Sequence, residues 1–301
     1  MSALKIGPKT FEWGARTIVM GILNITPDSF SGDGLLPSPP SPLPSGDGGA
    51  STALEQARRF LSAGADILDV GGESTRPGSQ TVTAAEEMER VLPVIRALAQ
   101  EFPEAVISID TYKSEVALEA LKAGAHMIND VWGLRADPHI AEVVGKFNVP
   151  VVLMHNRSKP ANAQIRENLG GRYVGVEYAN LLEDVKAELT ESVVLARKAG
   201  IPNERIILDP GIGFGKTIEQ NLELLNRLDE IRALGFPVLL GPSRKSFIGY
   251  TLNLPHDQRM EGTAAAVSVG IVRGADIIRV HDVEIMVRVA RMTDAIVRPK
   301  A

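Results

Sequence analysis

The chain has 301 residues, enough for one large single-core domain, and its 44% hydrophobic and 23% charged residues are an ordinary globular composition. A net charge of −5 with no basic run argues against a nucleic-acid groove while leaving room for a small anion site. With no cysteine, disulfides and thiolate metal sites are excluded; no signal-peptide pattern opens the chain and no apolar run is long enough to span a bilayer, so a soluble cytoplasmic protein is expected.

In chain order, short runs rich in Ile, Val and Leu alternate with amphipathic stretches. TIVMGILN (17–24) is followed by SFSGDGLLPSPPSPLPSGDGGAS (29–51), a Pro-, Ser- and Gly-rich insertion with too little apolar mass to pack. Most of it reads as a surface excursion; its first residues could form a mobile lid. A helix is predicted over 52–63. DILDVGG (66–72) precedes a helix over 84–101, where Thr83 and Glu86 form a capping-box pattern. VISID (106–110) precedes 113–123. HMIND (126–130) precedes 138–147, with Asp137 as N-cap and Pro138 at the first helical position. VVLMH (151–155), RIILD (205–209), PVLLG (237–241) and DIIRVH (276–281) precede helices over 175–199, 217–234, 259–273 and 282–296.

Apolar strands without polar alternation belong to a sheet covered on both faces. Eight strand–helix units therefore predict an α/β chain folded as a single (β/α)₈ TIM barrel over residues 1–301, with a doubly wound open sheet as the competitor. A small repeat supports the unit: Ala63-Gly64-Ala65-Asp66, Ala123-Gly124-Ala125-His126 and Arg273-Gly274-Ala275-Asp276 each close a helix with Gly just before a strand.

Polar residues gather at one end of these strands: Asn24, Glu73, Asp110, Asn129, Asp130, His155, Asp209, Ser243 to Lys245, Arg279 and His281. In a barrel all C-terminal strand ends share one face, where sites are built. A lone Asp or Asn at a strand end is ordinary turn chemistry, but such coincidence along the whole chain points to a site. DPGIGFGKT (209–217) ends like a nucleotide-binding P-loop. The first glycine of that motif would fall at Pro210, which has no N–H to donate, so the P-loop reading fails.

The ordered set MGILNITPDSFSGDG, GADILDVGGESTRPG, ISIDT, HMINDVWG, LMHNR, ILDPGIGFGK, GPSRKSFIG and RVHDV resembles the dihydropteroate synthases, from about Phe11 to the C-terminal helix. The resemblance implies the same barrel, and an activity joining 6-hydroxymethyl-7,8-dihydropterin pyrophosphate to p-aminobenzoate with release of pyrophosphate. It places the pterin against Asp110, Asn129, Met154, Asp209 and Lys245, with Arg279 beside them. Carboxylates such as Asp209 and Asp110 suit the paired N–H donors of a pterin edge. It gives the pyrophosphate to Asn24, Arg76, Arg279 and His281, and a bound Mg²⁺ to Asn24. It gives p-aminobenzoate to Thr75, Pro77, Phe214, Lys245 and Ser246, with Thr75, Arg76 and Pro77 on one mobile loop and Phe214 on another. The glycines of GIGFG would let that loop present Phe214 without steric conflict. Asp110, Asp209, Lys245 and Arg279 are the expected catalytic set, and a homodimer is implied by the resemblance alone.

The chain departs from the family in two places. SFSGDG stands for the usual SFSDGG, displacing the acidic residue to Asp33, and Pro242 stands where a small or branched apolar residue is common. Two other readings remain at this point: a methyltetrahydrofolate–corrinoid methyltransferase on a related barrel, and a pterin-binding protein without turnover.

Overall fold

The computed structural model describes residues 3–26, 48–75, 79, 81–166 and 168–298. Its strands are β1 (Ala3–Ile6), β2 (Lys9–Glu12), β3 (Ile18–Asn24), β4 (Ile67–Gly71), β5 (Val106–Asp110), β6 (Met127–Asp130), β7 (Val151–Met154), β8 (Ala163–Arg166), β9 (Gly170–Tyr173), β10 (Ile206–Asp209), β11 (Leu239–Leu240) and β12 (Ile277–Val280). Its helices are α1 (Gly48–Ala63), α2 (Ala84–Glu101), α3 (Ser114–Ala123), α4 (Ile140–Phe147), α5 (Leu181–Lys198), α6 (Ile218–Asn226), α7 (Leu228–Arg232), α8 (Ser246–Leu252), α9 (Met260–Val272) and α10 (Val283–Val297).

Eight parallel strands form one sheet in the order β10-β7-β6-β5-β4-β3-β12-β11, and a parallel bridge between Leu208 and Val238 joins its two ends. The barrel expected from strand–helix alternation is the fold found, and the open doubly wound sheet is excluded. No described helix is long and apolar enough to cross a membrane.

Side chains on each strand alternate between helices and barrel interior. Val19, Leu23, Leu68, Val70, Ile107, Ile109, Leu153, Leu208, Ile278 and Val280 face outward into the helix-packed core. Ile18, Met20, Ile67, Val106, Met127, Val152, Ile207, Leu239 and Ile277 fill the lower interior. The hairpin β1–β2 plugs this floor with Leu4, Ile6 and Phe11, and Trp13 follows just after it. The hairpin escaped sequence reading because its strands are four residues long and each buries every second residue at most, so no apolar run forms.

The Gly repeat has one physical meaning in all three copies. Gly64, Gly124 and Gly274 take left-handed φ values of 103°, 120° and 99°, ending α1, α3 and α9. The next residue returns its N–H into the helix: Ala65 to Phe60, Ala125 to Ala120 and Ala275 to Gly270, each at 2.9 Å. The fourth residue then accepts a backbone N–H of the adjacent strand or of the residue leading into it. Asp66 accepts from Val19 at 3.0 Å, His126 from Ile107 at 3.1 Å and Asp276 from Val238 at 2.9 Å. The repeat thus stops a helix and fixes the foot of the neighbouring strand.

Other boundaries need correction. α1 starts at Gly48, a turn earlier than expected, because Ala50 packs on the core. The rest of the insertion lies outside the described residues, as do its proposed lid and Asp33. The helix expected over 175–199 begins only at Leu181, where the Asn180 side chain caps it by accepting from Glu183 N. That expected over 217–234 breaks at Arg227 into α6 and α7. Asp137 does not cap α4, which starts at Ile140; its carboxylate accepts from His139 N at 2.9 Å and from Ser114 N, the first residue of α3, at 2.7 Å. The Thr83–Glu86 capping box is present. The segment after LMHNR, given no element from sequence, forms the β8–β9 hairpin.

Candidate active site

Above the apolar floor, the inward strand positions turn polar. Pairing between neighbouring strands sets Asn24 beside Gly71, Gly71 beside Asp110, and Asp110 beside Asn129; farther round the barrel, Asp209 pairs with Met154. These residues line one rim at the C-terminal ends of the strands, as barrel chemistry requires. Gly71 and Gly241 keep the mouth open. A Cβ on Gly241 would lie 3.8 Å from the Arg279 Cβ and 3.9 Å from Lys245 Nζ.

Arg279, from β12, reaches across the mouth and ties it together. Its Nε donates to Asp69 Oδ2 at 2.5 Å and its Nη2 to Asp110 Oδ2 at 2.6 Å. Asn129 Nδ2 donates to the same Asp69 oxygen at 3.0 Å. Asp69 is fully buried, and its Oδ1 has no hydrogen-bond partner among the described residues. Burial works against the Arg279 charge, but Asp69 and Asp110 more than offset it, so the guanidinium stays protonated. Burial pushes Asp110 up to about 7; Arg279 pulls it down and Asp69 pushes it further up. Asp110 therefore serves this charge cluster and does not cap α3, whose N-cap is Lys113.

Asp209, buried at the end of β10, accepts from Gly211 N at 2.7 Å through Oδ1. Burial raises its pKa, against the charge of Lys245. Burial lowers Lys245 to about 8; Asp209 and Asp110 oppose this and the Arg279 charge adds to it. Lys245 Nζ donates to Ile212 O and sits 4.5 Å above the Phe214 ring. The glycines around Phe214 are obligatory. Gly211, Gly213 and Gly215 have φ of 71°, 83° and 60°, and a Cβ on Gly211 would fall 1.8 Å from His155 O.

His281 follows β12 and meets Ser243: its N and Nδ1 lie 3.2 and 3.0 Å from Ser243 Oγ. Next to Ser243, Arg244 holds a left-handed φ of 53° and pairs with Asp282, locking the SRK and RVHD loops together. Pro242 opens the turn that sets Lys245, its carbonyl accepting from Lys245 N at 3.3 Å. Ser246 is the first residue of α8. Glu73, at the base of the loop leading to Thr75, is anchored by Lys113, which also pairs with buried Glu87. Thr75 is half-buried; Arg76 and Pro77 lie outside the described residues.

The structure thus gathers Asp110, Asn129, Met154, Asp209, Lys245 and Arg279 in one mouth, with Asn24 on its rim, Phe214 on the loop against Lys245 and Ser246 at the start of α8. Sequence reading passed over Asp69. The available signal was a carboxylate inside the apolar run DILDVGG, in phase with Ile67 and Gly71, where an apolar residue belongs.

Comparison with known proteins gives the family. The family model of pterin binding enzymes matches residues 20–281. The chain is 48% identical to the dihydropteroate synthase of Clostridium beijerinckii, covering 98% of this chain and 100% of that protein. A crystal structure of dihydropteroate synthase from Clostridium difficile, determined in the presence of pteroic acid, superposes with a TM-score of 0.83 at 46% identity, covering 96% of this chain and 99% of that one. The Xanthomonas albilineans dihydropteroate synthase with 4-aminobenzoic acid gives a TM-score of 0.80 at 39% identity, covering 95% and 94%.

Removing one partner of a buried ion pair typically costs about 3–5 kcal/mol. Asp69→Asn keeps the shape but leaves Arg279 one carboxylate short, so urea unfolding should lose about 3 kcal/mol. An unchanged unfolding midpoint would mean that Asp110 alone satisfies Arg279.

Proposed function

The chain belongs to the pterin-binding enzyme family and catalyses the dihydropteroate synthase reaction of folate biosynthesis, and we propose how its barrel mouth divides the work. The observation that carries the reading is the convergence of buried Asn129 and Asp209 with part-buried Asp110, Lys245 and Arg279 at one barrel mouth. The pterin lies deep in the mouth: Asp209 and Asp110 accept from its N–H groups, Asn129 and Lys245 serve its remaining polar edge, and Met154 lines the wall. Charge-assisted bonds to carboxylates are roughly twice as strong as neutral ones, which suits recognition of a polar heterocycle. Arg279 and His281, with Arg76 of the second loop, face the pyrophosphate. Thr75, Phe214 and Ser246 form the outer slot for p-aminobenzoate, with Lys245 between the two substrates; the family resemblance adds Pro77, outside the described residues. Relatives solved in the presence of pteroic acid and with 4-aminobenzoic acid support a mouth that takes both kinds of molecule.

Mg²⁺ fits as an ion held chiefly by the substrate. Among the described residues no three His, Cys, Asp or Glu side chains form a metal cage, while Asn24 offers one hard amide oxygen at the rim. Such an ion typically keeps few protein ligands and draws the rest from phosphate oxygens. When bound it would neutralise charge on the leaving pyrophosphate.

The reaction follows a dissociative course. The bond between the pterin methylene carbon and the pyrophosphate oxygen breaks, and its electron pair leaves on pyrophosphate. The dihydropterin ring shares the resulting positive charge, which Asp110 and Asp209 stabilise, while Arg279 and His281 hold the departing anion. The p-aminobenzoate nitrogen then bonds to the methylene carbon and loses a proton to water. No protein nucleophile takes part.

A homodimer rests on an apolar face. Val269 and Val272 of α9 and Met292 and Ile296 of α10 are exposed, and Thr293 joins the two helices by a hydrogen bond to Ser268. Contiguous apolar surface of this kind marks association sites. A cytoplasmic location agrees with the cysteine-free composition.

Asp209→Ala should weaken calorimetric binding of the pterin pyrophosphate on the order of 10⁴-fold, since a site built for a substrate's N–H groups loses discrimination of that size without its partner. Unchanged affinity rejects the pterin role. Pyrophosphate release should follow a bell in kcat/KM. The rate rises as Asp110 ionises near pH 7 and falls as Lys245 loses its proton near pH 8. A profile flat from pH 6 to 9 contradicts that pairing. Sedimentation should give a dimer that Val272→Asp converts to monomer; a native monomer removes the dimer proposal.

A further inference from the structure

The Gly-Lys-Thr that ends DPGIGFGKT binds no nucleotide phosphate, and the reaction leaves its lysine unused. Thr217 caps α6, accepting from Gln220 N while the Gln220 side chain returns to Thr217 N. Among the described residues Lys216 is the largest fully buried side chain, and it points back into the loop that precedes it. Its Nζ lies 2.9 Å from Gly211 O, 3.0 Å from Phe214 O and 2.9 Å from His155 Nδ1.

The surroundings fix the charge. His155 Nε2 faces Glu188 Oε2 at 3.3 Å. Although burial disfavours its charge, Glu188 is kept ionised by His155, Arg157 and Arg135. Nε2 makes no hydrogen bond of good geometry, but an ionised carboxylate 3.3 Å away favours the proton on that nitrogen, which leaves Nδ1 as an acceptor. Burial, with the Lys216 charge adding to it, depresses His155 to about 3, so the ring is neutral. All three contacts of Lys216 are then donations, and an ammonium has three protons to give. Burial pulls Lys216 toward its neutral form and Asp209 opposes this; the hydrogen-bond count selects the ammonium.

Three further backbone groups of the loop are held by side chains. Lys245 donates to Ile212 O. Asn221 Oδ1 accepts from Gly213 N at 2.6 Å, and Tyr178 OH donates to Gly215 O at 2.9 Å. Arg157, paired with Glu188, stacks 4.2 Å from the Tyr178 ring centroid, so the outer brace shares a carboxylate with the inner one.

We infer that Lys216 is a positioning residue for p-aminobenzoate: with His155 and Glu188 behind it and Tyr178 beside it, it holds the Gly211–Gly215 loop so that Phe214 stands ready under Lys245. The proposal rests on the reading of Phe214 as a wall of the p-aminobenzoate slot. Lys216 touches neither substrate. It removes from the binding step the ordering of a glycine-rich loop, which would otherwise weaken binding of the second substrate.

The test is steady-state kinetics with calorimetry on three variants of the full chain. Lys216→Met should raise KM for p-aminobenzoate by roughly tenfold or more, change kcat less, and leave the Kd of pterin pyrophosphate within about threefold. Tyr178→Phe, which frees only Gly215 O, should raise the same KM by about threefold. Phe214→Ala removes the ring itself and should raise it at least as far as Lys216→Met. If Phe214→Ala raises KM while folded Lys216→Met and Tyr178→Phe leave it unchanged, the brace is refuted and the Phe214 role stands. If Phe214→Ala has no effect, the reading of the slot falls with it. Equal losses of pterin and p-aminobenzoate affinity in Lys216→Met overturn the proposal in favour of an effect through Asp209. Should Lys216→Met fail to fold, Tyr178→Phe decides the matter, an unchanged KM refuting it.

Discussion

A guanidinium stretched between two carboxylates organises this mouth. Arg279 comes from the last barrel strand, Asp69 and Asp110 from the second and third, so the ion pairs span residues far apart in the chain. Each group would be costly to bury alone. The two carboxylates keep Arg279 charged, while burial raises Asp110 to about 7 against the pull of Arg279. Asn129 is oriented by the same Asp69 oxygen. The other Asp69 oxygen, buried and unpartnered among the described residues, is a polar deficit that a folded protein seldom tolerates without use.

Such a cluster is tolerable only on a rigid support. The barrel interior below it is closed by aliphatic side chains and plugged from beneath by Leu4, Ile6, Phe11 and Trp13. The three Gly-stopped helices add side-chain acceptors at the strand feet. Apolar packing at the bottom thus leaves the top free to carry charges that contribute little to folding. Fold and site share the strands but divide them along their length: the same period of two that buries Ile67 also aims Asp69 into the mouth, one pleat higher.

This division explains what could be read from sequence. The eight apolar runs and the polar residues at their ends were legible because each is a local pattern: a continuous run, a Gly stop, an Asp where a strand gives way to a loop. The hairpins β1–β2 and β8–β9 were not, because strands of four residues with mixed burial form no run long enough to show a period. Asp137 looked like a helix cap from its neighbour Pro138, but its second partner, Ser114 N, lies on another helix that no local pattern reveals. Asp69 was hidden in plain sequence by the run that surrounds it. Lys216 was more deceptive still: its Gly-Lys-Thr setting suggests phosphate, and only the three acceptors around its buried nitrogen reveal a brace.

The two substrates ask opposite things of one small cavity. A pterin developing positive charge favours carboxylates, and a pyrophosphate taking up negative charge favours cations. The mouth supplies both within hydrogen-bond reach of each other, Asp110 against Arg279. In the absence of substrate these charges neutralise one another, which is what allows them to be buried. On the proposed dissociative course, bond breaking would offer each group of the pair a second partner of the sign it already faces. Dipoles fixed in advance do not have to reorganise during bond breaking, and that is where electrostatic catalysis gains over water. Lys245, lowered to about 8 by burial and lying against the Phe214 ring, stands between the two substrates in the proposed arrangement. The same burial that makes the ion pairs expensive therefore makes them effective.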